Sequence, residues 1–526
     1  MIKVVNVISD TNIGGAGKCI INFCKNYDKK KYEIVVVLPK GSALVDELKG
    51  TGVKLIEIDG LKDKSLDFGS LVKLIKVLRN ERPDIVHTHA SSVARIAARL
   101  VHGTKIIYTR HCAYPVSDRI KKGVGRFLYK NVNEFFADEI IAVGNAAEEN
   151  LLDGGISKEK INTFFNGVEK INETTQEERR KLRKQYGIED DEYVVGIMAR
   201  LEYVKGQDTF IEAADILLKE KNIKIKFLIL GNGKEEQRLK DKVKELGIEK
   251  DVIFTGFVKN VGDFLNIMDV QVNCSFGTET SCLSLLEGMS IGIPAVATDY
   301  GGNPYLISNG ENGYIVPTKN PEETANAIKK ILTNNDIKKR MREKAIEIYN
   351  NKFTIQTYVN NVQNVYEKVM NEPRMKKING LDIFIIAIIA VVCIFGYSYM
   401  NRGNKVATAN TQKVVYQIRT TESSPNVYEV IEDGAIIYDS LKNINIGKIV
   451  SKETTPSVRY GVDKKDKEVV ETALTNKVDI TLTVEADATI TDKSISVNGY
   501  EIKVGNEAYV KGKGYAGIGY IVSIER

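Results

Sequence analysis

The sequence predicts an α/β chain made of two successive parallel-sheet domains, followed by one transmembrane helix and a small all-β domain. Three observations predict this. Short apolar strands alternate with helical patterns from the first residue to about Thr333, residues 381–400 contain a long charge-free run, and the tail beyond Gly403 alternates apolar and polar residues with period two. A length of 526 residues is enough for three or four domains, each with its own core. The net charge of +6 is small for that length and gives no argument for a nucleic-acid partner.

In the first domain, residues 1–170, strands are expected at Val4–Ser9, Glu33–Leu38, Lys54–Ile58, Ile85–His87, Lys105–Thr109 and Glu139–Val143. MIKVVNVISD at the start reads as a strand, because no long apolar core follows it as in a signal peptide. Residues 171–190 are highly charged and read as a surface helix and connection. Strand–helix alternation resumes at Tyr193 and defines a second domain, 190–350, with a helical segment at 351–372.

The run Leu381–Met400 predicts a single membrane span, since its 18 residues from Ile383 carry no charge and Tyr397 and Tyr399 suit an interface. Arg374, Lys376 and Lys377 before it, against Arg402 and Lys405 after it, favour a cytoplasmic N-terminal side. Residues 403–526 then form an extracytoplasmic β domain. There Val478, Ile480, Leu482 and Val484 mark one strand face, Tyr520, Val522 and Ile524 another, and Asn498-Gly499 marks a hairpin. The six cysteines include no CxxC pair and none lies beyond Cys393, which suits structural thiols in a reducing compartment.

Candidate chemistry concentrates in FGTETSCLSLLEGMSIGIP, Phe276–Pro294. Glu279 lies in a Gly/Ser/Thr loop, and Glu287 is expected about two turns into the helix that follows. Eight helical residues span roughly 12 Å, comparable with the distance from ribose to hexose in a nucleotide sugar. The helix start between the two carboxylates suits a diphosphate. Upstream, a strand from Tyr193 leads into a loop bearing Arg200 and Lys205, a planar fork and a point charge suited to phosphates.

At these positions the chain resembles the retaining glycosyltransferases of family 4, which have the GT-B fold. That family carries an Arg and a Lys in a GRL-x-x-x-KG loop and a Glu-x7-Glu pair later in the same domain; in the segment beginning at Gly196, Arg200, Leu201, Lys205 and Gly206 occupy those places, and Glu279 and Glu287 do so further on. NGV at Asn166–Val168, LILGNGKE at Leu228–Glu235, FTGFV at Phe254–Val258 and GENGYIVP at Gly310–Pro317 match as well, so the resemblance covers about residues 1–370. It implies two Rossmann-like domains facing a cleft, with the acceptor on the first and the donor on the second. It also implies that the 351–372 helix crosses back to the first domain. Catalytic parts are implied for Arg200, Lys205, Glu279 and His111. Donor contacts are implied for Gly14, Gly15, Arg200, Lys205, Asn232, Phe257, Thr280, Ser281, Cys282, Leu283 and Glu287. The tail resembles a poorly characterised bacterial domain found after a single span. Thr280-Ser281 stands where many relatives have Gly-Phe, and Tyr305 where they have Glu.

Gly14 and Gly15, between the opening strand and a helix, suit close backbone approach to a ligand; spacing excludes a P-loop, because Asn12 stands five before Gly17 and Cys19 replaces the Ser/Thr. His87 and His89 share one side of a strand without a clear third metal ligand. No Asp-x-Asp pair occurs before residue 370, so no metal or other cofactor is expected, and Arg200 and Lys205 would supply the positive charge. RIKKGVGRFLYK, Arg119–Lys130, mixes five cations with Phe127, Leu128 and Tyr129. It reads as either a solvated face or a contact with anionic lipid head groups or a lipid-linked acceptor. The expected activity is transfer of a sugar from a UDP- or GDP-linked donor to a lipid-linked or glycan acceptor for the cell envelope. The alternatives are a silent nucleotide-sugar sensor signalling to the β domain, and a GT-B epimerase or phosphorylase.

Overall fold

The computed structural model describes residues 1–61, 67–89, 91–101, 103–112, 116–221, 223–372, 411–440, 444–462, 469–490 and 494–525. The chain divides into two compact units, Met1–Lys377 and Ile378–Arg526.

The first unit contains two parallel sheets. One is built from β1 (Ile2–Ile8), β2 (Tyr32–Pro39), β3 (Lys54–Ile58), β4 (Ile85–His89), β5 (Lys105–Arg110), β6 (Glu139–Val143) and β7 (Ile161–Phe164), in the order β3-β2-β1-β4-β5-β6-β7. The other contains β8 (Tyr193–Met198), β9 (Ile225–Leu230), β10 (Val252–Gly256), β11 (Val270–Asn273), β12 (Ala295–Thr298) and β13 (Gly313–Val316), in the order β10-β9-β8-β11-β12-β13. Val4, Val5, Val7 and the run Val35–Leu38 are fully buried, as strands covered by helices on both faces require. Strand order reverses between β1 and β4 and again between β8 and β11. In such sheets the crevice at the carboxyl end of the reversal is where ligands bind.

Two departures from the sequence reading concern strand ends. β7, an edge strand of mixed polarity, was not foreseen, because INTF is only four residues long and buries only Ile161, too short for a clear strand pattern. β4 extends to His89 and is buried along its length, so two histidines lie inside the sheet. The charged connection contains the helix Gln176–Gln185, which buries none of its residues and starts with a reciprocal Thr175/Glu178 capping box. The helix Ile355–Asn371 presents Tyr358, Val359, Val362, Val365, Tyr366 and Val369 to the core of the first sheet, alongside Val4, Ile8, Phe23 and Tyr32.

The second unit is antiparallel. Strands β14 (Thr411–Ser423), β15 (Ile436–Asp439), β16 (Ile444–Val462), β17 (Val469–Ile490), β18 (Ile495–Val497), β19 (Tyr500–Ile502), β20 (Glu507–Gly512) and β21 (Tyr515–Glu525) run in the order β14-β21-β20-β15-β16-β17-β18-β19. β14 also pairs with β17, which closes six of the strands into a ring. Ile480, Leu482 and Val484 point into its core, and Asn498-Gly499 turns β18 into β19 with both residues at positive φ. The expected face of Tyr520, Val522 and Ile524 is corrected. A bulge between the pairs Gln417–Ser523 and Ile418–Ile521 shifts the alternation, so Ile521 is buried and Tyr520 exposed. Among the described residues no helix is long and apolar enough to cross a membrane, and the span expected at 381–400 lies outside them.

Candidate active site

The candidate residues collect at the carboxyl ends of both sheets. Gly14 and Gly15 follow β1, His89 ends β4 and His111 follows β5; Arg200 and Lys205 follow β8, Asn232 follows β9, Phe257 follows β10 and Glu279 follows β11. Gly14 caps the helix Gly15–Asn26 with φ −92°, so neither glycine is demanded by a left-handed backbone, and the space around Gly15 is open. Arg200, Asn232 and Phe257 are exposed, the Arg200 side chain at 71%, with Glu202 3.2 Å away.

Lys205 and Glu279 are brought into direct contact. Lys205 Nζ donates to Glu279 Oε2 at 2.9 Å, joined by Ser275 Oγ at 3.0 Å and Asn273 Nδ2 at 3.4 Å. Burial pulls the Lys205 ammonium down, and the adjoining Glu279 carboxylate more than restores it, so the pKa ends above that of an ordinary lysine. Lys205 therefore stays charged. Oε1 of Glu279 has no hydrogen-bond partner among the described residues.

The loop bearing Glu279 is held from below. Thr278 adopts φ +52°, an uncommon conformation for a β-branched residue. Gly302 N–H donates to Glu279 O at 3.1 Å, and a Cβ on Gly302 would lie 1.7 Å from Thr280 O. Only glycine permits that approach. Gly206, after Lys205, has φ +72°, and a Cβ there would meet Cys274 O at 2.0 Å. The helix after the loop spans Leu283–Met289, so Glu287 is its fifth residue, just over one turn in; the expected two turns are corrected. Thr280, Ser281 and Cys282 are each below one-tenth exposed. Burial pushes the Cys282 thiol up to about 11, and its sulfur takes a hydrogen bond from Asn273, so it is an inert structural thiol.

Among the described residues, three side-chain contacts join the loops of the two sheets. Thr280 Oγ1 donates to His111 O at 2.8 Å, Lys18 Nζ pairs with Glu287 Oε1 at 3.0 Å, and Tyr305 OH donates to Glu149 Oε1 at 2.5 Å. Behind His111 runs a polar chain. Asn6 Oδ1 accepts from His89 Nε2 at 3.2 Å, which leaves His89 Nδ1 to accept from His111 Nε2 at 2.9 Å. His111 Nδ1 is then an acceptor. Burial lowers the His111 pKa to about 4 and that of His89 well below the usual value, so both rings are neutral at physiological pH. His87 is engaged by Tyr366 and Thr109, so both nitrogens of His87 and of His89 have protein partners. Sequence reading missed Lys18, Asn6, Asn273 and Ser275. The last two flank Cys274 in VNCSFG, and nothing in the order of residues marks them as a clamp on Glu279.

Comparison with known proteins agrees with the two-sheet fold. Residues 13–170 match the family described as Glycosyltransferase Family 4, and residues 178–348 match Glycosyl transferases group 1. The chain carries the two domains of a GT-B glycosyltransferase. Residues 370–525 match a domain of unknown function, DUF4330. The glycosyltransferase part is 30% identical over 257 residues to the putative glycosyltransferase EpsD of Bacillus subtilis, covering 46% of this chain and 66% of that one. It is 25% identical over 388 residues to the UDP-Gal:alpha-D-GlcNAc-diphosphoundecaprenol alpha-1,3-galactosyltransferase of Escherichia coli, covering 70% and 98%. The crystal structure of Anabaena Alr3699/HepE in complex with UDP and glucose superposes with a TM-score of 0.61 at 21% identity, covering 70% of this chain and all of that one, which shows the shared fold.

Proposed function

We propose that the chain is a membrane-anchored, retaining, metal-independent glycosyltransferase. It moves a sugar from a UDP- or GDP-linked donor to a lipid-linked acceptor in cell-envelope polysaccharide or glycolipid synthesis. The observation that carries this is the convergence at the strand-order reversal of a permanently charged Lys205, clamped by Glu279, with the exposed Arg200. The printed activity of the Escherichia coli relative, a UDP-linked donor and a diphosphoundecaprenol acceptor, supports the donor and acceptor classes.

Cleavage of the bond from anomeric carbon to phosphate develops negative charge on the leaving diphosphate. Arg200 and Lys205 stabilise it while Glu279 holds Lys205 in place and offers Oε1 to a sugar hydroxyl. Glu287 takes the ribose hydroxyls, which requires Lys18 to give up one carboxylate oxygen. His111, an acceptor at Nδ1, receives a hydroxyl of the donor sugar. No protein nucleophile is assigned, and retention follows from front-face attack assisted by the leaving phosphate.

Purified full-length protein incubated with radiolabelled nucleotide sugars and membrane extract tests this reading. Label should move to the lipid fraction from one or a few donors and persist after thorough chelation with EDTA. Loss restored by Mg²⁺ or Mn²⁺ would refute charge replacement by Arg200 and Lys205. The anchoring has its own test: protease added to intact spheroplasts should digest residues 403–526 and spare residues 1–370, and the opposite pattern would reverse the orientation.

A further inference from the structure

The basic segment after His111 forms the short helix Asp118–Lys121 and then the helix Gly123–Phe135. The second helix has two unlike faces. Inward, Tyr129 packs with the cluster around Tyr108 and Leu151, and Asn133 accepts a hydrogen bond from Arg95 at 2.9 Å. Outward, Val124, Phe127 and Leu128 are 75%, 66% and 37% exposed at i, i+3 and i+4, a continuous apolar stripe open to solvent. A solvated surface would place polar side chains there.

Cations border the stripe. Arg119, Lys122 and Arg126 are exposed and form no ion pair among the described residues, while Lys121 reaches Asp153 at 3.4 Å and Lys130 reaches Glu134 at 3.9 Å. Asp118 and Glu134 are the only acids from residue 118 to 135. An apolar stripe flanked by unpaired cations is complementary to a bilayer with anionic head groups, the rings entering the acyl boundary and the cations meeting phosphates. We propose that Asp118–Phe135 is an interfacial docking surface for an anionic lipid bilayer. The segment begins seven residues beyond His111, so docking would set the His111 edge of the cleft against the membrane. Only that last step rests on the lipid-linked acceptor proposed above; the surface itself stands on exposure and charge.

The chain contains no tryptophan, so Phe127→Trp gives a single reporter in the full-length protein. Leu128→Trp is a second reporter on the same stripe, and Phe68→Trp, at a site 74% exposed elsewhere in the same domain, is the control. Each is reconstituted into discs of phosphatidylcholine alone or with phosphatidylglycerol, with brominated acyl chains as quencher. Emission from position 127 or 128 should shift to the blue and be quenched when phosphatidylglycerol is present. High salt, or Arg119→Glu with Lys122→Glu, should reverse both effects, and position 68 should not respond. Absence of quenching, equal quenching at position 68, or a blue shift that depends on protein concentration without lipid would overturn the proposal; the last would mean self-association. The readout is fluorescence, so failure of sugar transfer would leave it unaffected.

Discussion

Arg200→Ala should lower kcat by about 10²–10³ without changing the melting temperature. The expected loss is on the order of 3 kcal/mol of transition-state stabilisation, the usual cost of removing one donor aimed at developing charge. The fold should not suffer, because the side chain is 71% exposed and its one ion pair among the described residues is with Glu202. Lys205→Ala should lower kcat as strongly but also destabilise the protein. Its ammonium is the partner of Glu279, whose side chain is only 10% exposed, and removing one member of a buried pair costs about 3–5 kcal/mol. Lys205→Met with Glu279→Gln should recover much of the stability and none of the activity. Steady-state rates and thermal melts on the four proteins decide this. Near-full kcat in Arg200→Ala would remove it from the diphosphate site.

The sheets were legible because their strands are apolar on both faces, and runs such as Val35–Leu38 can be little else. β7 was not, since an edge strand needs no such run. In the barrel, period two identified β17 correctly, whereas one inserted residue near Val522 reversed the face of β21, and a bulge leaves no trace in an alternating pattern. The same division runs through the site. Arg200, Lys205, Glu279 and Glu287 stand out because they come from two short segments of one domain, the loop after β8 and the loop and helix after β11. The partnership of Lys18 with Glu287 spans 269 positions, and the chain from Asn6 through His89 to His111 crosses three strand ends. Such contacts exist only once the sheets are assembled. The contact of His89 with Asn6 Oδ1 sets which nitrogen of each ring accepts, something a sequence of isolated histidines does not carry.

Gly302→Ala should be as damaging as removing a charged group, although glycine has no chemistry of its own. Its added Cβ would meet Thr280 O at 1.7 Å and Thr280 C at 2.5 Å, both backbone atoms, so no flexible side chain can yield. Either the Gly301–Gly302 turn or the Glu279–Thr280 segment must move. The turn is tethered by its own hydrogen bond to Glu279 O, and the segment by the bond from Thr280 Oγ1 to His111 O. A shift of about 1 Å at positioned groups costs about 10²-fold in rate, and overpacking adds roughly 1–3 kcal/mol of destabilisation. Gly247→Ala separates the two effects. Gly247 ends the helix Glu236–Leu246 at φ +70° with nothing within 4 Å of an added Cβ, so the substitution should cost about 1–2 kcal/mol of backbone strain and leave kcat unchanged. Equal loss of stability in both variants, with activity lost only in Gly302→Ala, would tie the rate to the position of Glu279. If Gly302→Ala keeps wild-type kcat, the Glu279 loop is not held by this contact, and the clamp on Lys205 must be anchored through Asn273 and Ser275 alone.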